Sequence, residues 1–153
     1  MEKAELKIDY LLYKESVPVE YEELCRAALK VSENAYSIYS GFSVGAAVLM
    51  NDGEIVTGSN QENVAYPSGL CAERTALFYA CSAYPGTGIK AMAIAARNQG
   101  RETDEYVTPC GACRQVMAEI VRRYKADFDV ILVGRKRTLH VKASQLLPFA
   151  FEM

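Results

Sequence analysis

The sequence predicts an α/β fold, a three-layer α/β/α sandwich on a mixed five-stranded sheet, and three observations carry that prediction. Helical and strand periodicities follow one another in the order α-β-β-α-β-α-β-β, which favours helices laid over a partly parallel sheet. Of the 153 residues 50% are apolar and 24% charged, enough for a domain with a sizeable core. No repeat, linker or low-complexity tract interrupts the pattern, so residues 1 to 153 are expected to form a single domain.

The elements can be justified in order. Residues 1 to 18 have weak periodicity and read as an N-terminal arm, either an added strand or a loose segment. In VEYEELCRAALKVSENAY (19 to 36) Tyr21, Leu24, Cys25, Ala28 and Val31 or Ser32 share one helical stripe, with charges opposite. FSVGAAVLM (42 to 50), NDG and EIVTGSN (54 to 60) read as strand, turn and strand, because Asp52-Gly53 supplies the positive φ of a tight hairpin. Residues 71 to 83 read as the second helix, 89 to 98 as a buried strand and 110 to 124 as the third helix. FDVILVG (128 to 134) and TLHVKAS (138 to 144) are strands on either side of an RKR turn, and SQLLP (144 to 148) is a short closing helix.

Composition narrows the function. A net charge of −2 argues against a chain that grips phosphate backbones, and RKR (135 to 137) and Arg122-Arg123 are short enough to be a turn and a solvated helix end. Charges break every apolar run, so neither a secretion signal nor a membrane span is expected and the chain reads as cytoplasmic, with small-molecule or protein partners and no nucleic acid or membrane partner. Five cysteines without a disulfide-framework spacing point to metal binding or chemistry in a reducing compartment.

Three of those cysteines stand at helix heads. Cys71 opens the second helix in YPSGLCAERTALFYAC (66 to 81), and Cys110 and Cys113 open the third in PCGACRQ (109 to 115). Unpaired N–H groups and the helix dipole favour a thiolate there, and the three-residue spacing of Cys110 and Cys113 puts both on one face. Two heads can therefore present three thiolates to one zinc ion. No fourth protein ligand is well placed. Cys81 is ten residues beyond Cys71 on the same helix, about 15 Å along its axis; Cys25 falls on a buried stripe, and His140 lies in a late strand with no ligand near it in sequence. A coordination position left open for water marks a catalytic zinc. Glu73, two residues from Cys71, can reach that water, whereas Arg74 and Arg114 can donate hydrogen bonds to sulfur and temper the charge of three thiolates. Cys-x-Glu followed by Pro-Cys-x-x-Cys is the signature of zinc-dependent nucleobase deaminases. Asn60 and Glu62 in NQEN, one residue apart, share a face at a strand end and could hold two hydroxyls, although the segment alone would pass for a solvated loop.

From about residue 24 to 151 the sequence resembles the small free-nucleoside cytidine deaminases, through YSGFSVGAAV (39 to 48), NQEN (60 to 63), CAERTA (71 to 76), PCGACRQV (109 to 116) and QLLP (145 to 148). The resemblance implies that Cys71, Cys110 and Cys113 bind one zinc per subunit, Glu73 shuttles protons, and Asn60 and Glu62 hold a ribose. It also implies that Phe42, which reads equally well as core, packs on the pyrimidine, with the backbone of Ala72 and Thr108 at the base edge. A homotetramer is implied too, with Tyr66 and Phe151 contributed across an interface. Two features depart from the usual pattern: Ile38 stands where a proline commonly precedes Tyr-Ser, and the N-terminal arm is longer.

The implied reaction is hydrolytic deamination of cytidine and 2′-deoxycytidine to uridine and 2′-deoxyuridine, in pyrimidine salvage. Rival readings are a deaminase for a modified cytosine nucleoside such as blasticidin S, a deaminase acting on RNA or DNA, a structural zinc module, and a thiol redox protein that pairs Cys110 with Cys113.

Overall fold

The computed structural model describes residues 1–153 and contains three α-helices and one mixed sheet. The strands are β1 (Tyr10–Lys14), β2 (Phe42–Met50), β3 (Ile55–Ser59), β4 (Ile89–Asn98), β5 (Arg101–Glu102), β6 (Asp129–Val133) and β7 (Arg137–Lys142). The helices are α1 (Glu22–Val31), α2 (Ala72–Ala83) and α3 (Gly111–Tyr124). The order across the sheet is β1-β7-β6-β4-β2-β3, with β5 folded back onto the end of β4.

The five expected strands are all present, and the sheet has seven. The arm supplies β1, which pairs antiparallel with β7 from Tyr10 opposite Val141 to Lys14 opposite Arg137. The two-residue β5 is too short to leave a periodic signal. The first helix is shorter than the amphipathic stretch suggests, because single 3-10 turns, Val19–Tyr21 and Ser32–Asn34, take up its ends. Its stripe is buried as expected at Tyr21, Leu24, Cys25 and Ala28, with Ser32 in place of Val31 at the last position. The closing helix is a 3-10 turn at Ala143–Leu146.

Strand alternation sorts the side chains into two cores. Ala91, Ala93 and Ala95 of β4 face α1 beside Ala47 and Ile131, while Met92 and Ile94 face α2 and α3 beside Ala46, Val48, Leu77 and Met117. The alanines let α1 sit close to the sheet. At Gly45 the approach is closer still: a Cβ there would lie 2.0 Å from the Ala28 carbonyl oxygen. On the other side a Cβ at Gly58 would lie 2.6 Å from the Ala76 nitrogen, so α2 is seated directly against β3.

Strand direction explains why two helix heads meet. Strands β3 and β4 are each antiparallel to β2, so they run the same way, and the helices that follow them, α2 and α3, start beyond the same end of the sheet. In open α/β sheets that end, outside the carboxyl termini of parallel strands, is where ligand sites collect. Strand β6 then runs parallel to β4, and α3 forms part of the crossover that such a pair requires. No helix is long and apolar enough to cross a membrane.

Candidate active site

Cys71 and Cys110 are the capping residues of α2 and α3, both with extended backbone, so each sulfur lies at a ring of unpaired helical N–H groups. Cys113 follows one turn into α3 and is fully buried. The Cys71 and Cys110 sulfurs are 3.9 Å apart, those of Cys110 and Cys113 3.5 Å, and all three lie within 4.8 Å of one another. A tetrahedral zinc with ~2.3 Å bonds to sulfur spaces its ligands ~3.8 Å apart, so the donor set fits that ion.

Electrostatics give the same answer. Burial pushes the Cys113 thiol up, and the negative charges of Glu73, Cys71 and Cys110 push it further. Burial also opposes ionisation of Cys110, but hydrogen bonds from the Cys113 and Ala112 backbone and from neighbouring sulfurs outweigh it and lower its pKa. Crowded thiolates of this kind are relieved by a cation held among them. Glu73, 6% exposed, has its pKa raised mainly by burial, against the lowering effects of its own backbone N–H, Cys113 and Arg74.

The two arginines differ. Arg74 Nη2 donates to Cys71 Sγ at 3.6 Å. Arg114 does not turn to a sulfur as expected: its Nε donates to the Pro109 carbonyl at 2.8 Å and its Nη1 to the Leu146 carbonyl at 3.4 Å. The reason is its position in the first turn of α3, where the chain just before the helix and the closing 3-10 turn offer nearer acceptors. It braces the backbone beside Cys110 instead of donating to a ligand sulfur.

A cleft of about 460 Å³ opens beside Cys71 and Arg74 and is also lined by Asn60, Glu62 and Tyr66. Its floor is held by backbone pairs: Gln61 and Leu70 exchange hydrogen bonds at 2.9 Å, and Tyr36 bonds to Asn60 and Glu62 at 3.0 and 2.8 Å. Strand β3 ends at Ser59, so Asn60 and Glu62 lie just beyond the strand rather than on it. Asn60 Oδ1 accepts from the Val44 N–H at 2.7 Å, and its Nδ2 donates to the Phe42 carbonyl at 3.0 Å. The Glu62 carboxylate accepts from the backbone N–H groups of Tyr39 and Ser40, at 2.9 and 3.3 Å, and from the Ser40 hydroxyl. The Ser40 hydroxyl is the main reason that the Glu62 pKa is lowered.

Glu73, Cys110, Cys113 and Arg114 do not line this cleft, and neither do four of the residues predicted to contact substrate or serve a neighbouring site. Phe42 is half-buried at the start of β2, and Ala72 is buried in the first turn of α2. Thr108 borders a separate hollow of about 250 Å³ beneath β1. Phe151 lies along α3, 72% exposed. His140 is not on a sheet edge, because β1 covers β7; its Nε2 lies 2.8 Å from Asp129 Oδ1, and its ring sits between Tyr13 and Tyr21. Ser40 and Gln115 are functional candidates that sequence reasoning passed over. A serine followed by glycine in a turn signals local hydrogen bonding, but not which carboxylate it meets.

The family model for the cytidine and deoxycytidylate deaminase zinc-binding region matches residues 18–125. The chain is 44% identical to a cytidine deaminase of Halalkalibacterium halodurans over 129 residues, 84% of this chain and 91% of that protein. It is 38% identical to a probable cytidine deaminase of Dictyostelium discoideum over 134 residues, 86% of this chain and 84% of that protein. Among solved structures, the cytidine deaminase of Burkholderia pseudomallei superposes with a TM-score of 0.73 at 40% identity, covering 86% of this chain and 98% of that one.

Proposed function

The chain belongs to the cytidine and deoxycytidylate deaminase family, and from that premise we propose that it converts cytidine and 2′-deoxycytidine to uridine and 2′-deoxyuridine with release of ammonia. The observation that carries the reading is the convergence of the three sulfurs of Cys71, Cys110 and Cys113 within 4.8 Å, at the heads of two helices, next to a buried Glu73. The three thiolates hold zinc, which, when bound, supplies the Lewis acidity that lets a water lose its proton near neutral pH.

The chain's own groups do the rest. Glu73 takes up one proton of the attacking water and passes it to ring nitrogen 3 as oxygen adds at carbon 4. It then takes the remaining proton from the new carbon-4 hydroxyl and delivers it to the amine as the carbonyl forms and the carbon–nitrogen bond breaks. Water is consumed and ammonia leaves, so one carboxylate acts as base and then as acid. Its burial holds the proton within the site between the two steps. Arg74, donating to Cys71, withdraws charge from the sulfurs. Asn60 and Glu62 hold the ribose: each keeps unused hydrogen-bonding capacity facing the cleft after its loop bonds are made.

Residues 1–153 work as one domain and assemble as a cytoplasmic homotetramer in which Tyr66 and Phe151 serve neighbouring sites. What supports this is the 82% exposure of Tyr66 at the cleft and the 72% exposure of Phe151. Phe42 and the backbone of Ala72 and Thr108 complete the base pocket once the nucleoside and the neighbouring copy are in place.

The test is metal analysis together with turnover. One zinc per chain, a cytidine-dependent fall in ultraviolet absorbance matched by ammonia, and loss of both on chelation are expected. A metal-free protein inert to cytidine, with Cys110 and Cys113 joined as a disulfide, would support the redox reading instead. Light scattering on the eluted protein should give four times the chain mass.

A further inference from the structure

Helix α3 grips the end of the chain. Arg114, Gln115 and Arg122 each donate to a backbone carbonyl of the last eight residues, at Leu146, Phe151 and Met153. Gln115 alone makes the bond in both directions: its Nε2 donates to the Phe151 carbonyl at 2.9 Å, and its Oε1 accepts the Phe151 N–H at 3.2 Å. A side-chain amide used in this way substitutes for a neighbouring strand, fixing both backbone groups of one residue.

The residue fixed is an unusual one to hold so firmly. Phe151 is 72% exposed and Phe149 89% exposed, so the clamp orders a backbone whose aromatic rings are covered only slightly within the same chain. Ordering costs conformational entropy, and a free terminus would ordinarily fray. Gln115 is also two residues from Cys113 in the first turns of α3, so the seat of Phe151 is rigidly tied to the head that carries two of the metal ligands.

We propose that Gln115 is a positioning residue: it seats the C-terminal segment so that the Phe151 ring is presented, preorganised, to the nucleoside site of a second copy of this chain. The inference rests on the reading above that Phe151 serves a neighbouring site. Preorganisation of this kind lowers the entropic cost of assembling the pocket, so its loss weakens substrate binding more than the chemical step.

The experiment compares Gln115→Ala, Gln115→Glu, Phe151→Ala and the double variant Gln115→Ala/Phe151→Ala in cytidine turnover, with zinc content and mass measured alongside. Gln115→Ala is expected to raise KM about three- to tenfold, with kcat within about twofold of the parent, the scale of one or two exposed hydrogen bonds. Gln115→Glu, which keeps the volume and the acceptor for the Phe151 N–H, should fall between the two. In the Phe151→Ala background Gln115→Ala should add little, because both changes remove the same contribution. If Phe151→Ala raises KM while Gln115→Ala does not, or if the two effects add in full, the positioning role is overturned although the reading of Phe151 stands. If Phe151→Ala leaves KM unchanged, that reading fails and the inference fails with it.

Discussion

At the scale of single residues, the proposed mechanism divides labour among neighbours. Cys71 and Glu73 project from the same helix head with different tasks, and Arg74 touches sulfur instead of solvent because Cys71 lies one turn back on its own helix. Removing that guanidinium leaves the sulfurs fully charged. Arg74→Ala is expected to retain part of its zinc and to lose about tenfold or more in kcat, the effect of one hydrogen bond to a charged group. Arg74→Lys, which keeps the charge without the planar fork, should recover only part of the loss. Full activity in Arg74→Ala, measured at equal zinc occupancy, would remove it from the mechanism. The thiols and Glu73 were legible in the sequence because spacing on a helix fixes who can meet. The Arg114 contacts were not, since their acceptors are backbone carbonyls, one of them on a turn 32 residues away that no local pattern names.

At the scale of elements, activity depends on how closely α2 is seated. Gly58→Ala would drive a methyl group into the backbone of α2, 2.6 Å from the Ala76 nitrogen, and is expected to destabilise the protein by about 1–3 kcal/mol in denaturant titration. It should also depress turnover, because the displaced helix carries Cys71 and Glu73. A second junction lies across the sheet, where Asp129 of β6 accepts from Tyr21 at 2.9 Å, contacts His140 at 2.8 Å and pairs with Lys142 at 2.9 Å. Burial alone would raise the Asp129 pKa, but Lys142, His140 and Tyr21 together hold it below the ordinary value. A carboxyl with a lowered folded-state pKa contributes stability above its unfolded value, near pH ~4, and loses it as pH falls through the folded value. Asp129→Asn is therefore expected to cost about 1–2 kcal/mol at pH 7, a difference that shrinks below pH ~4. A penalty that persists unchanged at pH 3 would mean the charge is not what matters. The pairing of β1 with β7 was less legible: Tyr10 to Lys14 has exposed residues on both faces, so neither period stands out, and its partner lies more than a hundred residues later.

At the scale of the molecule, the layered architecture follows from the sequence order, and the site follows from the architecture. Parallel β3 and β4 start two helices beyond the same end of the sheet, which turns two cysteine motifs about forty residues apart into one cluster. The five expected strands, β2, β3, β4, β6 and β7, and the three helices could be read from periodicity because each buries a regular face. The substrate pocket was only partly readable. Phe42, Thr108 and Phe151 do not line the cleft that Asn60 and Glu62 share, and the periodicity of a segment does not say which cavity its side chains border. The central claim is that Glu73 moves the protons while the thiolates of Cys71, Cys110 and Cys113 hold the metal. Its most direct test is cytidine turnover by Glu73→Gln at confirmed zinc content. Zinc and nucleoside binding should persist while kcat falls about a hundred- to ten-thousandfold, the range of general acid–base catalysis. A zinc-loaded Glu73→Gln enzyme that deaminates cytidine near the parent rate would contradict the account.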